Sequence, residues 1–441
     1  MKKKVMLWLL ALVVVPIMSQ ANVTTTINGI NYELNTSSYT ATVLKYTSGS
    51  KYSGDIVIPE TVKYNNKDYT VELIDFMAFY DCDGMTSLSI PNTVYFINRS
   101  AFQQCTGLKS IELPSSLVYL YSAFEQCTGL TSIHIPANVR MLENGCFYGC
   151  TGLTEMTVDS ENEYYESPAG SNCIIKKETK ELVAGCKATV IPDDVLSIGD
   201  YAFRYMTDIV SIDIPNSVTS IGSFAFGNID NLSSVVIPNS VKTIGYAAFI
   251  WAEKLEEVSI GKGITAIQLD AFGDCSKLKT VKMYAVTPPA ITYDYDYDGD
   301  MDAFSSYDNP SLRSNIDLYV PSSAVETYKN DAYWGTFKSI QALPNKCEKP
   351  AITFKDGKYS FTCETEGVEF KTTVSQVFAG NEVQPTGTYT LSVVATKDGY
   401  EDSDAATMDV QMSLGKKGDV NADGVVSITD AVSVVNIILN E

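Results

Sequence analysis

The sequence predicts a mainly β fold: a solenoid of 22–23-residue coils, then a small β-sandwich module, then one final loop with a single helix. Three observations carry this expectation. A phenylalanine, usually preceded by alanine, recurs at Phe79, Phe102, Phe124, Phe147, Phe203, Phe226, Phe249, Phe272 and Phe304. Each recurrence is followed by a stretch in which apolar and polar residues alternate, and a proline closes most of those stretches.

The chain begins with Lys2, Lys3 and Lys4, an apolar run from Val5 to Met18, and then Ser19, Gln20 and Ala21. This is the pattern of a secretory signal peptide, expected to span residues 1–21, and its apolar core is too short for a good transmembrane span. The mature protein is therefore expected outside the cell or at the bacterial surface, soluble or peripherally attached. Cleavage after Ala21 would expose Asn22, where a lipid anchor would need cysteine. Residues 22–54 are expected to form an N-terminal cap.

The solenoid is expected over residues 55–343. Ala101-Phe-Gln-Gln-Cys-Thr-Gly-Leu-Lys-Ser-Ile-Glu-Leu-Pro114 and Ala123-Phe-Glu-Gln-Cys-Thr-Gly-Leu-Thr-Ser-Ile-His-Ile-Pro136 are the same unit written twice. From Leu108 to Pro114, Ile111 and Leu113 alternate with Ser110 and Glu112, which predicts a strand with one face buried. Proline then ends it. A second short apolar pair, as in Val218 and Ile221, returns the chain along the opposite side. Most steps between phenylalanines are 22 or 23 residues, whereas those from Phe147 to Phe203 and from Phe272 to Phe304 are longer and are expected to hold inserted loops. One coil cannot bury enough apolar surface to offset the entropy of ordering it, so neighbours must stack and the ends must be protected. Ile27 to Thr70 is expected to cover the first coil, and Leu318 to Leu343, with Tyr328, Trp334 and Phe337, the last.

The recurring pattern AFxxCxxLxSIxIPxxVxxI resembles the BspA-like leucine-rich repeat of surface proteins from host-associated anaerobic bacteria and some protists. What the resemblance implies is a curved β-rich solenoid and, for some members, adhesion to host matrix proteins or to other bacteria. Independently of the family, alternate strand residues should form one outward row: Ser89, Glu112, His134, Thr157, Asp213, Val236, Ser259 and Lys282. Its irregular charge and size suit a shaped protein surface, either a host matrix protein or another bacterial surface protein, better than a periodic polymer. The alternative is a solvated face with no partner.

Residues 347–412 alternate as strands, for instance Tyr359 to Cys363 and Thr388 to Ala395, separated by Asp356-Gly357 and Pro385-Thr-Gly387. That spacing fits a small antiparallel sandwich. The segment resembles the immunoglobulin-like modules, often called chitobiase C-terminal-like, that follow repeats in secreted Bacteroidetes proteins.

Over residues 416–441, Asp419, Asn421, Asp423, the Val425 carbonyl, Ser427 and Asp430 fall at the oxygen-ligand positions of a calcium loop, with Gly424 at its sharp turn. An apolar-faced helix follows from about Thr429 to Leu439. Calcium is the expected cofactor. Loop plus helix resembles one half of a type I dockerin, in which Asp430 replaces the usual closing glutamate, and the resemblance implies a cohesin as partner. A full dockerin has two halves, and Ile428 and Thr429 stand where a polar pair would be expected. Asp294, Asp296, Asp298, Asp300 and Asp302 with Gly299 imitate the front of such a loop but reach Ser305 with no closing carboxylate.

Fifty-three acidic against 32 basic residues leave a net charge of −21, or about −24 once the three leader lysines are removed. This argues against nucleic acid and anionic membranes as partners. Ten cysteines in an exported chain suggest disulfides. Yet Cys82, Cys105, Cys127 and Cys150 recur at one place in the repeat, as a stacked row of buried small residues would. Cys347 and Cys363 lie outside the row and are the candidate bridge. His134 is the only histidine, so any triad must use it, and no CxxC zinc motif occurs. Paired carboxylates are not addressed by spacing. The reading is a secreted or surface binding protein and not an enzyme; the alternative is a dockerin-bearing, non-catalytic component of a polysaccharide-degrading assembly.

Overall fold

The structure, a computed structural model, describes residues 22–46, 51–292, 302–304, 312–344, 349–355, 358–364, 369–376, 386–396, 403 and 405–413. The leader at 1–21, the acidic run from Asp294 to Asp300, Cys347, and the whole calcium loop with its helix lie outside the described residues. The chain divides into two compact units, Met1–Ala342 and Leu343–Glu441.

The first unit is the expected β-solenoid, of about 11 turns. In a typical coil Ile133 and Ile135 are buried while His134 between them is exposed; Val139 and Leu142 then face inward from the opposite side, and Phe147 and Cys150 from the third. Each coil returns in the same direction, so its strands pair in parallel with those of the next. On one side Ser132–Ile135 pairs with Glu155–Val158, and Ser234–Ile237, Glu257–Ile260, Thr280–Met283, Asp317–Val320 and Ser339–Ala342 form a continuous ladder. Two-residue strands such as Phe96–Ile97, Tyr119–Leu120 and Met141–Leu142 form the ladder opposite.

The third side has an unusual backbone. Residues two before and two after most of the phenylalanines take positive φ, as at Ser100 and Gln104 around Phe102, and at Tyr201 and Tyr205 around Phe203. A left-handed conformation costs a non-glycine residue on the order of 1–2 kcal/mol. The amides of these residues each donate to the next coil, Gln104 N to Glu125 O at 2.9 Å and Tyr205 N to Gly227 O at 2.8 Å.

Down the middle runs the phenylalanine stack, with ring centroids 5.5 Å apart for Phe79 and Phe102, 5.0 Å for Phe102 and Phe124, and 5.6 Å for Phe124 and Phe147. A second stack runs from Phe203 to Phe304. Tyr52 closes the first stack at 5.1 Å from Phe79; Trp334 and Phe337 close the second edge-on against Phe304. The N-terminal end is covered by an antiparallel meander, Val23–Ile27, Ile30–Asn35 and Thr40–Leu44, whose last strand pairs with Lys67–Ile74. At the far end the helix Val325–Lys329 brings Tyr328 into the core, where its hydroxyl donates to Ala285 O at 3.0 Å.

Two expectations need correction. Leu108–Pro114 keeps the inside-outside alternation, with Ile111 and Leu113 buried and Glu112 exposed, but it joins no ladder; nor does the corresponding stretch at Asp213. Burial of alternate side chains sets the pattern there without ladder hydrogen bonds. The step from Phe147 to Phe203 is also no inserted loop. It contains Tyr165–Glu166, Cys173–Lys176 and Glu181–Gly185, paired antiparallel, and the last pairs in parallel with Ser197–Ile198. Cys173, Ile174, Ile175, Leu182 and Val183 are all buried, and such continuous apolar runs belong to strands covered on both faces, which lack period-2 alternation.

The cysteine row is buried and not disulfide-bonded. The thiols of Cys105, Cys127 and Cys150 donate to the carbonyls of Phe79, Phe102 and Phe124 in the preceding coil, at 3.0, 3.0 and 2.9 Å.

The second unit contains an antiparallel pair, Ala351–Lys355 with Lys358–Thr362, and an antiparallel sheet of Glu369–Gln376, Thr386–Thr396 and Ala406–Ser413. Leu391, Val393 and Ala395 are buried, and the Phe361 and Phe370 rings lie 5.7 Å apart.

A methyl group added at Gly185 would lie 2.1 Å from Cε1 of Phe203. Gly185→Ala should therefore lower stability by about 1–3 kcal/mol through overpacking, measured as a lower urea midpoint; an unchanged midpoint would show that the inserted strand can move aside. Burial pushes the Cys82 and Cys173 thiols up to about 11 and those of Cys146 and Cys275 up to about 12, from 9.0. They stay protonated in the folded chain while the unfolded chain ionises them, so their effect on stability is flat below about pH 9 and unfavourable as pH rises from there toward 12. The urea midpoint should drop between pH 8 and pH 10.5, and iodoacetamide at pH 8 should label these thiols only in denaturant.

Candidate binding face

The outward row is built by the same rule that builds the core. Where Ile111 and Leu113, or Ile133 and Ile135, turn inward, the residue between them must face solvent. Ladder register then places these residues side by side: Val57 opposite Ser89, His134 opposite Thr157, and Val236, Ser259 and Lys282 in succession. Glu112 and Asp213 are exposed in the same sense without a ladder.

Four of the eight expected positions, Ser89, Glu112, His134 and Thr157, line one groove of about 830 Å3 together with Glu155 and Asp159. His134 Nδ1 and Thr157 Oγ1 are 3.0 Å apart, and His134 Nε2 lies 3.9 Å from Asp159 Oδ2. Among the side chains named, three carboxylates face one imidazole, so the groove is acidic. It offers hydroxyls, carboxylates and a ring nitrogen from successive stacked coils, an arrangement that can recognise a cationic or hydrogen-bonding surface. Asp213, Val236, Ser259 and Lys282 belong to the other half of the solenoid and do not reach this groove. There Lys282 Nζ pairs with Glu257 at 3.0 Å, tying one row residue to its own ladder.

Three outward positions escaped the sequence reading. Val57 is 66% exposed, Val190 is 67% exposed, and Tyr319 lies in register with Lys282. Val57 and Val190 each precede an Ile-Pro pair, as Val236 does, and that repeated Val-Ile-Pro was the available signal. Tyr319 precedes Val320-Pro321 and was readable in the same way. The opposite ladder also exposes Tyr95, Tyr119 and Met141 beside Phe96 and Tyr121, a patch hidden from the sequence because those coils were read only as return strands. Among the described residues no cluster of three or more His, Cys, Asp or Glu could hold a metal ion. The six residues expected to hold calcium, Asp419, Asn421, Asp423, Val425, Ser427 and Asp430, lie outside the described residues.

This geometry defines a β-solenoid repeat protein whose recurring spacing serves the core and whose non-recurring positions face outward. Residues 72–181 and 183–288 match the family model described as BspA type leucine rich repeat region, in six copies, so this stretch consists of BspA-type leucine-rich repeats. Among solved structures, the pneumococcal vaccine antigen PcpA is similar in fold, with a TM-score of 0.50 at 16% identity over 74% of this chain and 99% of that one. A leucine-rich repeat protein from Bacteroides ovatus aligns over 74% of this chain and 94% of its own, at 18% identity and a TM-score of 0.41. A leucine rich cell surface protein from Faecalibacterium prausnitzii aligns over 74% and 96%, at 21% identity and a TM-score of 0.38. No curated protein matches the sequence.

Because the groove residues point away from the core, changing them should leave the fold intact. Glu112→Lys and His134→Ala should each shift unfolding free energy by no more than about 0.5 kcal/mol. Urea denaturation checks this, and a large loss would place these side chains among the determinants of the fold.

Proposed function

We propose that the protein is an exported, non-catalytic binding protein, presented at the bacterial surface or released from it, and that its strand-side groove engages a protein ligand. The observation that carries this reading is the convergence of Ser89, Glu112, His134 and Thr157, from four successive coils, on one acidic groove. The coils that carry these side chains are stacked through the buried phenylalanines, so the side chains meet a partner with little ordering cost. Excess carboxylate favours a ligand with a basic segment, drawn from host matrix proteins or from other bacterial surface proteins. The N-terminal pattern Lys2 to Ala21 supports export, and no helix among the described residues is long and apolar enough to cross a membrane. The spacing of Asp419, Asn421, Asp423, Val425, Ser427 and Asp430 supports a structural calcium ion in residues 416–441, and through the dockerin resemblance a cohesin as a further partner.

The test is capture of host matrix proteins and of surface proteins from the producing bacterium by residues 22–441 and by residues 22–415, each with calcium or chelator. Capture by both forms, independent of calcium, weakened by salt and lost in Glu112→Lys/Asp159→Lys, is the expected result. Capture that requires residues 416–441 and calcium would instead make the repeats a passenger in a docked, polysaccharide-degrading assembly.

A further inference from the structure

A second groove, of about 450 Å3, lies on the third side of the solenoid, away from the strand-side groove. It is lined by the residue two after the phenylalanine and the residue two further on, in each coil: Gln104 and Thr106, Gln126 and Thr128, then Gly149 and Thr151, then Tyr205 and Thr207. The coils carrying Gly149 and Tyr205 are neighbours here despite the long sequence step, since Gly149 N donates to Arg204 O at 2.9 Å. The rungs therefore read Gln, Gln, Gly, Tyr along the axis, with a threonine beside each.

The glycine rung interrupts the row of side chains. Gln104 Nε2 donates to Gln126 Oε1 at 2.9 Å, whereas Gly149 contributes no side chain to the row and is buried beside the Gln126 stem, whose Cγ lies 3.0 Å from where a Cβ would stand. The Tyr205 ring is held firmly: the Tyr148 ring is 5.9 Å away and the Arg204 guanidinium lies 5.1 Å from the Tyr205 centroid. From Gln104 to Thr207 the lining carries no charge. Asp81 and Asp83 stand at one end, both close to Lys51, at 2.8 and 3.5 Å.

The chemistry narrows the ligand. Amides and hydroxyls both donate and accept, and an aromatic face offers an apolar surface to the C–H side of a sugar ring. A polypeptide added as a strand would need main-chain partners. The amides of Asp81, Gln104, Gln126 and Gly149 are already spent on carbonyls of the next coil. A phosphorylated ligand would need cations that the lining lacks. Rungs repeat at roughly the 4.8 Å spacing of paired strands, so a straight, extended polymer can follow them.

We propose that this groove binds a neutral, extended oligosaccharide, with one sugar seated beside Gln126 and Thr151 against the Tyr205 ring. The site is separate from the strand-side groove, and either can fail without the other. The experiment titrates the mature chain, residues 22–441, with cellohexaose, mannohexaose and xylohexaose by calorimetry, up to about millimolar ligand. At least one should bind, and Tyr205→Ala should weaken that binding at least about tenfold, while Tyr205→Phe retains it because the ring face, not the hydroxyl, makes the contact. Thermal midpoints confirm folding of each variant. No heat with any of the three hexasaccharides, binding indifferent to Tyr205→Ala, or binding of an unfolded carboxymethylated polypeptide in their place would each overturn the proposal.

Discussion

Within each of the two stacks, a coil buries its phenylalanine against the phenylalanine of the next, at about 5 Å between ring centres, and the rest of the structure depends on that contact. A single coil has no interior; what it buries, it buries against a neighbour. The repeat length follows, because one circuit must return the ring to the same place. So do the parallel ladders, which are the only pairing open to strands that all run the same way round. The ends need different chemistry, and they have it in Tyr52 with an antiparallel meander on one side, and in Tyr328, Trp334 and Phe337 on the other.

The cysteines belong to the same logic. A small side chain fits the inner corner, and its S–H reaches a phenylalanine carbonyl of the preceding coil. The row thus ties coils together by hydrogen bonds, and burial keeps the thiols protonated and away from oxidants. Where Met206 and Ala252 take that place, the stack continues, so the thiol assists the packing without defining it.

Because the core is satisfied by inward positions alone, outward positions are released from structural duty. The strand side spends that freedom on a mixed acidic row, and the third side on amides, hydroxyls and a tyrosine. The two surfaces differ in kind: one is charged and formed by the outward positions of the alternating stretches, the other neutral and formed by left-handed turns. A chain that carries both can address two chemically unlike partners from one scaffold.

The repeat itself was written in the sequence, since a fixed interval of Ala-Phe with alternating neighbours demands stacked coils with one face inside. The same alternation identified Ser89, Glu112, His134 and Thr157 as outward, and the recurrence of Cys82, Cys105, Cys127 and Cys150 identified them as buried. What tertiary structure alone decided was adjacency across breaks in that interval. Nothing local announces that Gly149 and Tyr205 are neighbours, because the strands between them leave the third side and join the return-side ladder. Nor could alternation reveal the inserted strands of residues 173–185, which are covered on both faces and so have no polar side to alternate with. The left-handed positions, too, are invisible to composition: Ser, Gln, Tyr, Phe and Ala all occupy them, held there by hydrogen bonds to the next coil and not by any preference of their own.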